Sequence, residues 1–316
     1  MKRNIKNIVM SFGLSALLLF TMSSNMAWAD DESADNIQHY VVYSKDLTTG
    51  VEEYETLSFN PYEMCEDTQG YVPVGDEMIS NTECDVSPNS VIGSDTRQEI
   101  MNTYNFPYKA ICKVVAIWKN KPGTGTEGHK SPGTGFMINR NHMLTAGHMI
   151  YDSVWGYCDE LLVYPARNRI YAPYGPYKAI KMTVTNEYKE KPGSGEEDWG
   201  LVRLNDTVGD ITGYFGLSIS TNTTDLLSKK ISVTGYPVDK TDGLGMWKGN
   251  GTVKSQDSTT IGYDCDTFGG NSGSPVYDSS NTVVAIHVRK VNPYSQYNEG
   301  TKINSKVKGI INLLTM

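Results

Sequence analysis

Three short segments carry the residue types of nucleophilic catalysis: Thr145-Ala146-Gly147-His148, Asp198-Trp199-Gly200-Leu201 and Gly269-Gly270-Asn271-Ser272-Gly273-Ser274-Pro275. A serine hydroxyl is a poor nucleophile near neutral pH. It needs a neutral imidazole to take its proton, and the imidazole needs a buried carboxylate to hold its tautomer and stabilise the cation. Ser272, His148 and Asp198 offer those three groups. Gly269 and Gly270 let the backbone turn so that the amides of Gly270 and Ser272 can both point at a developing oxyanion, worth about 3 kcal/mol per donor. Each segment alone has a plainer reading, since a serine between glycines marks a turn, a histidine in an apolar run packs in a core, and Asp198 can cap a turn. Together, flanked by apolar runs, they predict a site for acyl transfer.

Such a site needs elements to hold it. From about residue 105 onward the chain alternates short apolar, β-branched and aromatic runs with clusters of Gly, Pro, Asn and Asp. Strands are predicted over 112–118, 133–138, 161–165, 178–184, 199–204, 230–236, 274–277 and 282–288. Many short strands at this spacing indicate an all-β barrel or sandwich fold, and the lack of interleaved long helices argues against a parallel α/β sheet. One helix is expected, at the C-terminus, where Val307, Ile310, Ile311 and Leu314 form an apolar stripe behind Asn304 as N-cap. The surroundings of Ser272 lack the second glycine of G-x-S-x-G, which excludes an α/β-hydrolase elbow.

Composition narrows the function classes. The 316 residues are 39% apolar with 30 Gly and 13 Pro, the balance of a folded, turn-rich protein. A net charge of -8 and no long basic stripe argue against nucleic acid as a partner. Residues 1–90 hold 4 basic and 15 acidic side chains, a net of 4 - 15 = -11, whereas residues 91–316 carry 24 - 21 = +3. Residues 1–29 read as a secretory signal: Lys2, Arg3 and Lys6, then the apolar run Ile8 to Met22, then Ala27-Trp28-Ala29 before Asp30. That run is shorter than the roughly 20 residues of a membrane span, so an exported protein with no membrane anchor is expected. Residues 30–90, with Lys45 as the one cation, read as an acidic prosegment. Cys65 and Cys84 could pair within it, leaving Cys112, Cys158 and Cys265, of which at least one is expected to be a buried, inert thiol. No CxxC, Cys/His cluster or HExxH occurs, so no metal site is predicted. No cofactor is called for, and bound calcium is compatible with the chain, although no site for it is defined.

The order His, Asp, Ser is that of chymotrypsin-type enzymes, and the motifs permit a closer comparison. The sequence resembles a glutamyl endopeptidase of the staphylococcal V8 protease type, in the chymotrypsin-like serine protease superfamily. The likeness runs from Val91-Ile92-Gly93 through the three segments, Val233-Thr234-Gly235-Tyr236-Pro237, Met246-Trp247 and Ala285-Ile286-His287 to the final helix. It implies two six-stranded antiparallel β-barrels at right angles with a C-terminal helix over residues 91–316, and the triad in the cleft between them. It implies His148 as general base and acid, Asp198 as its orienting carboxylate, Ser272 as nucleophile, and Gly270 and Ser272 as the oxyanion hole. For a P1 glutamate it implies His287, Thr267 and the α-amino group of a mature Val91, each able to donate to a carboxylate. Val288-Arg289 after His287 and Met149 after His148 depart from related enzymes, the first touching the outer subsites and the second removing a disulfide.

The resemblance thus implies a secreted, monomeric serine endopeptidase made as a zymogen, cutting protein and peptide substrates after Glu, with Asp as second candidate. Ser90 is no Glu, so the cut between Ser90 and Val91 is assigned to a separate activating protease that favours an apolar residue after the bond. Asp266 opposes this specificity, because it lies where trypsin-like enzymes keep the acid that selects Arg or Lys. Rival readings keep the fold and triad but prefer a basic P1 through Asp266, or a single target in the manner of exfoliative toxins. A pseudoprotease that only binds fits less well with an intact triad.

Overall fold

The strand formers of the chain close two barrels. The computed structural model describes residues 36–63, 66–74, 91, 95–119, 128–220, 225–290 and 297–316. It begins with a hairpin, β1 (Gln38–Asp46) and β2 (Glu52–Phe59). The first barrel follows, from β3 (Ile111–Trp118), β4 (His129–Met137), β5 (His142–Thr145), β6 (Glu160–Pro165), β7 (Tyr177–Thr185) and β8 (Gly200–Leu204). Its order is β8-β5-β4-β3-β6-β7, and β7 pairs back onto β8 to close it. The second barrel holds β9 (Lys230–Gly235), β10 (Trp247–Gln256), β11 (Thr260–Tyr263), β12 (Pro275–Tyr277), β13 (Thr282–Lys290) and β14 (Asn298–Lys302). Its order is β13-β12-β9-β10-β11-β14, closed by β13 on β14. Every neighbouring pair within each barrel is antiparallel. Closure leaves the first barrel one uncovered stretch along its own six strands, the side of β7 beyond Lys178.

All eight predicted strand segments fall on barrel strands. Four barrel strands were not predicted: β5, β10, β11 and β14. In β10 the run Trp-Lys-Gly-Asn-Gly-Thr-Val-Lys-Ser-Gln and in β14 Asn-Glu-Gly-Thr-Lys carry little apolar alternation, so pairing from both neighbours, which no local pattern announces, makes them strands.

The expected C-terminal helix is present as α2 (Ser305–Thr315), preceded in the chain by the short α1 (Asn186–Glu190). Asn304 Oδ1 accepts from the Val307 amide at 3.0 Å, which satisfies one of the donors that a helix start leaves open. Val307, Ile310 and Ile311 are buried, and Leu314 packs against the same core. Gly309 lies on this face because a Cβ there would meet the Phe59 ring at 2.0 Å.

Phe59 belongs to the acidic front segment, whose described part is ordered on the body of the protein. β1 pairs with β7 from Val42 opposite Thr185 to Asp46 opposite Lys181, along the stretch that β6 leaves after Lys178. Tyr40, Val42, Tyr43, Leu57 and Phe59 are buried in the same apolar cluster as the first barrel. At 1.5–3 kcal/mol per fully buried large side chain, this contributes about 10 kcal/mol. Cys65, Cys84 and residues 1–35 lie outside the described residues. Cys112, Cys158 and Cys265 are free and buried.

Replacing Phe59 by Ala should therefore lower the unfolding free energy by about 3 kcal/mol, read from urea denaturation. Ser58→Ala, on the exposed face of the same strand, should change it by less than about 0.5 kcal/mol.

Candidate active site

Two of the predicted residues, His148 and Asp198, are in contact where the ends of β5 and β8 come together, and the β11–β12 turn that carries Ser272 lies against the same strand end. His148 sits in a single turn, Gly147–Met149, directly after β5. Asp198 sits just before β8, and β5 and β8 are paired with Thr145 opposite Gly200, so the strand register sets the two side chains near each other. The result is a two-point contact: the His148 amide donates to Asp198 Oδ1 at 2.9 Å and His148 Nδ1 to Oδ2 at 2.8 Å. Asp198 is 3% exposed, while the His148 imidazole is 36% exposed. A carboxylate that receives Nδ1–H leaves Nε2 as the nitrogen free to take a proton.

The loop of Asp198 has its own supports. Thr301 Oγ1 on β14 donates to the carbonyl of Gly195 at 2.6 Å, and Glu197 receives Lys306 Nζ at 2.6 Å and Thr185 Oγ1 at 3.1 Å. These ties run from the second barrel, α2 and the end of β7 into one short segment.

Ser272 reaches the site on a turn pinned from the first barrel. Gly270 has φ +97°, and a Cβ there would lie 2.4 Å from the Tyr236 carbonyl, so the turn requires glycine. The carbonyl of Gly269 accepts from the Val238 amide at 2.8 Å. In a trans peptide the N–H points opposite to the C=O, so this bond sets the Gly270 amide away from Val238. Thr134 on β4 holds the next two peptides: its Oγ1 donates to the Gly270 carbonyl at 2.8 Å and its amide donates to the Ser272 carbonyl at 2.9 Å. Gly273 presses on Thr145 and Ala146, which brings the Ser272 turn against the strand end that leads to His148. Among the described residues neither the Gly270 nor the Ser272 amide donates to a protein acceptor. Thr134 was not singled out from sequence; Gly-Thr-Gly-Phe in a strand gives no local sign of this role.

Of the predicted pocket residues, His287 is bound directly to this turn. His287 on β13 is 3% exposed and tied to it by backbone bonds, its amide donating to the Ser274 carbonyl at 2.9 Å and its carbonyl accepting from Gly273 at 2.8 Å. A second residue not read from sequence, Tyr263 on β11, contacts His287 Nδ1 at 2.6 Å and the Glu299 carbonyl at 3.3 Å. Burial holds the Tyr263 phenol well above its ordinary pKa, so it stays protonated and has a single proton for these two contacts. Thr267 is half-buried, and Val91, in the uncut chain, is 48% exposed. Asp266 is 1% exposed, and its Oδ2 accepts from the Thr96 amide at 2.9 Å and the Thr96 hydroxyl at 2.6 Å.

The two histidines are shifted in opposite directions. Desolvation pulls the His148 pKa down, but the charge and hydrogen bond of Asp198 more than reverse this, and the net direction is upward. Burial, helped by the nearby His148, lowers the His287 pKa to about 3, so His287 is neutral at any pH where His148 titrates.

The sequence was compared with known proteins. A model of the trypsin-like peptidase domain matches residues 133–286. The chain is 33% identical over 240 residues to a glutamyl endopeptidase of Bacillus licheniformis, covering 73% of this chain and 71% of that one. It is 30% identical over 304 residues to a Bacillus subtilis protein called extracellular metalloprotease, covering 95% of this chain and 92% of that one, so the match runs through most of the front segment. Among the described residues of this chain no three His, Cys, Asp or Glu side chains are grouped to hold a metal. A solved structure of a Glu endopeptidase in complex with MPD superposes with a TM-score of 0.61 at 28% identity, over 71% of this chain and 98% of that one.

The opposite shifts can be read directly by NMR. The His148 ring should titrate above the ordinary imidazole value of about 6.5, and His287 should show no titration above about pH 4. Asp198→Asn should bring the His148 midpoint down and leave the His287 signal unmoved. Because the unfolded chain protonates His287 where the native one does not, stability should fall as pH drops from about 6.5 towards 3.

Proposed function

We propose, for a chain that belongs to the glutamyl endopeptidase family of trypsin-like serine endopeptidases, that it hydrolyses peptide bonds after glutamate through His148, Asp198 and Ser272. His148 Nε2 takes the Ser272 proton as Oγ attacks the scissile carbonyl. The amides of Gly270 and Ser272 receive the oxyanion, and His148 then hands its proton to the leaving amine. Water repeats the sequence on the acyl-enzyme. Asp198 keeps Nδ1 protonated throughout and stabilises the imidazolium, as its two bonds to His148 support. Nothing in these steps requires a metal or cofactor.

The observation that carries the glutamate preference is the Tyr263–His287 contact. We assign the Tyr263 proton to Nδ1, which leaves the neutral imidazole one donor, Nε2–H, suited to an acceptor-only carboxylate. Thr267 and the α-amino group freed at Val91 are the other donors we assign to that carboxylate. Asp266 has a different role, since with Oδ2 committed to Thr96 it anchors the segment that follows Val91 and does not select a basic side chain. Residues 1–29 are a secretory signal in this reading, residues 30–90 a prosegment cut at Ser90/Val91 by a second protease, and residues 91–316 the protease domain. The enzyme acts outside the cell as a monomer on protein and peptide substrates.

The reading is tested on the full chain after cleavage before Val91, with peptides that differ only at P1 among Glu, Gln, Asp, Arg, Lys and Phe. kcat/KM should be highest for Glu; a preference for Arg or Lys would reverse the role given to Asp266. Tyr263→Phe should reduce the ratio of Glu to Gln cleavage about tenfold while leaving the Gln rate nearly unchanged. Thr134→Val, which keeps shape but loses the bond to the Gly270 carbonyl, should lower kcat about ten- to a hundredfold with little change in KM. Ser272→Ala should abolish turnover yet still be matured in its natural host; failure to mature there would point to self-cleavage.

A further inference from the structure

The described residues of the front segment, 36–63 and 66–74, are fastened to the body through contacts away from Ser272, His148 and His287. After the β1–β2 hairpin it crosses α2, where Lys308 Nζ donates to the Glu66 carbonyl at 3.4 Å, and then runs beside the connection between the barrels. There Thr68 and Leu217 exchange backbone bonds of 3.0 and 3.1 Å, Tyr71 and Tyr214 exchange bonds of 2.8 and 2.9 Å, and Asp67 Oδ1 receives the Ile219 amide at 2.8 Å. The segment is therefore fastened at three places, the side of β7, the C-terminal helix and the inter-barrel connection. None of the contacts described for it reaches Ser272, His148 or His287.

What it covers would be costly to uncover. Between Lys181 and Thr185 the side of β7 vacated by β6 is paired by β1 alone, and the Tyr157 hydroxyl bridges the joint, donating to the Tyr43 carbonyl and accepting from the Val184 amide. Removing the hairpin would open a sheet edge and expose five apolar side chains with the core surface that they cover. The hairpin also leans on the catalytic loop from behind: Lys306 lies over the Tyr40 ring while its Nζ holds Glu197, the neighbour of Asp198.

We propose that the front segment is not discarded when the chain is cut before Val91, but stays bound through residues 36–74 as a separate chain, so that the mature protease is a two-chain molecule. The segment is then a strand donor to the first barrel and a support for the Asp198 loop, and the cut serves to free the Val91 terminus and not to lift a plug. This rests on the cleavage between Ser90 and Val91 proposed above, but its test does not.

In the full chain carrying Ser272→Ala, the recognition sequence of a site-specific viral protease is inserted between Ser90 and Val91, and the purified protein is cut and passed through a gel-filtration column. Nearly all of the front fragment should co-elute with the body at micromolar concentration, and the two should separate in denaturant without reductant. Elution of the front fragment apart from the body in native buffer would overturn the proposal, as would fragments that stay joined in denaturant until a reductant is added. Val42→Asp, which puts a charge into the joint with β7, should release the fragment after the cut, whereas covalent linkage keeps it docked before the cut. Co-elution unaffected by that change would also count against the proposed interface. Because the cut is introduced and the nucleophile is absent, a different natural processing site or P1 preference would leave this outcome unchanged.

Discussion

The cleft depends on a seam in which one barrel dictates the backbone of the other. The turn that presents Ser272 is built in the second barrel, yet its peptides are oriented by Thr134 of the first, through one hydroxyl and one amide. A turn with a left-handed glycine has several arrangements of similar energy when left to itself. Fixing the carbonyls of Gly269, Gly270 and Ser272 from outside, and that of Asn271 by the Ser274 amide, selects one of them, and the directions of the Gly270, Asn271, Ser272 and Gly273 N–H groups follow from peptide planarity. Orientation of this kind is settled during folding.

The same seam separates two imidazoles that must behave differently. His148 is open to solvent on one side and braced by a carboxylate, which favours its cation. His287 is enclosed and contacts a phenol, which favours the neutral ring. Neither environment is exotic; each is a short chain of ordinary contacts, and their difference follows from which wall of the cleft each histidine occupies. A charge on His287 would be opposed by the nearby His148, so a neutral His287 is the arrangement that tolerates both rings.

Much of this was legible in the chain because barrels advertise themselves through short β-branched runs, and because Thr145 to His148, Asp198 and Gly269 to Pro275 carry glycines and polar groups that a plain strand would not. The C-terminal helix was readable from four apolar positions and Asn304. The residues that were missed share one property: their signal lies in partners distant in sequence. Thr134 and Tyr263 look like ordinary strand residues until β4 meets the Ser272 turn and β11 meets β13. The strands β10 and β14 were missed because ladder pairing holds them with little apolar alternation. The β1–β2 hairpin was hidden by the exposed start of β2, Glu52 and Glu53, which dominates the composition while Tyr40, Val42, Leu57 and Phe59 do the packing.

The three enclosed sulfhydryls have a consequence of another sort. Cys112 lies in the first barrel, Cys265 packs in the separate apolar cluster of the second, and burial pushes both thiols well above their ordinary acidity range. Shielded and protonated, they are poor targets for alkylating reagents while the native packing persists. Each barrel therefore contains its own chemical reporter, and the order in which the two become modified traces the order in which the barrels come apart.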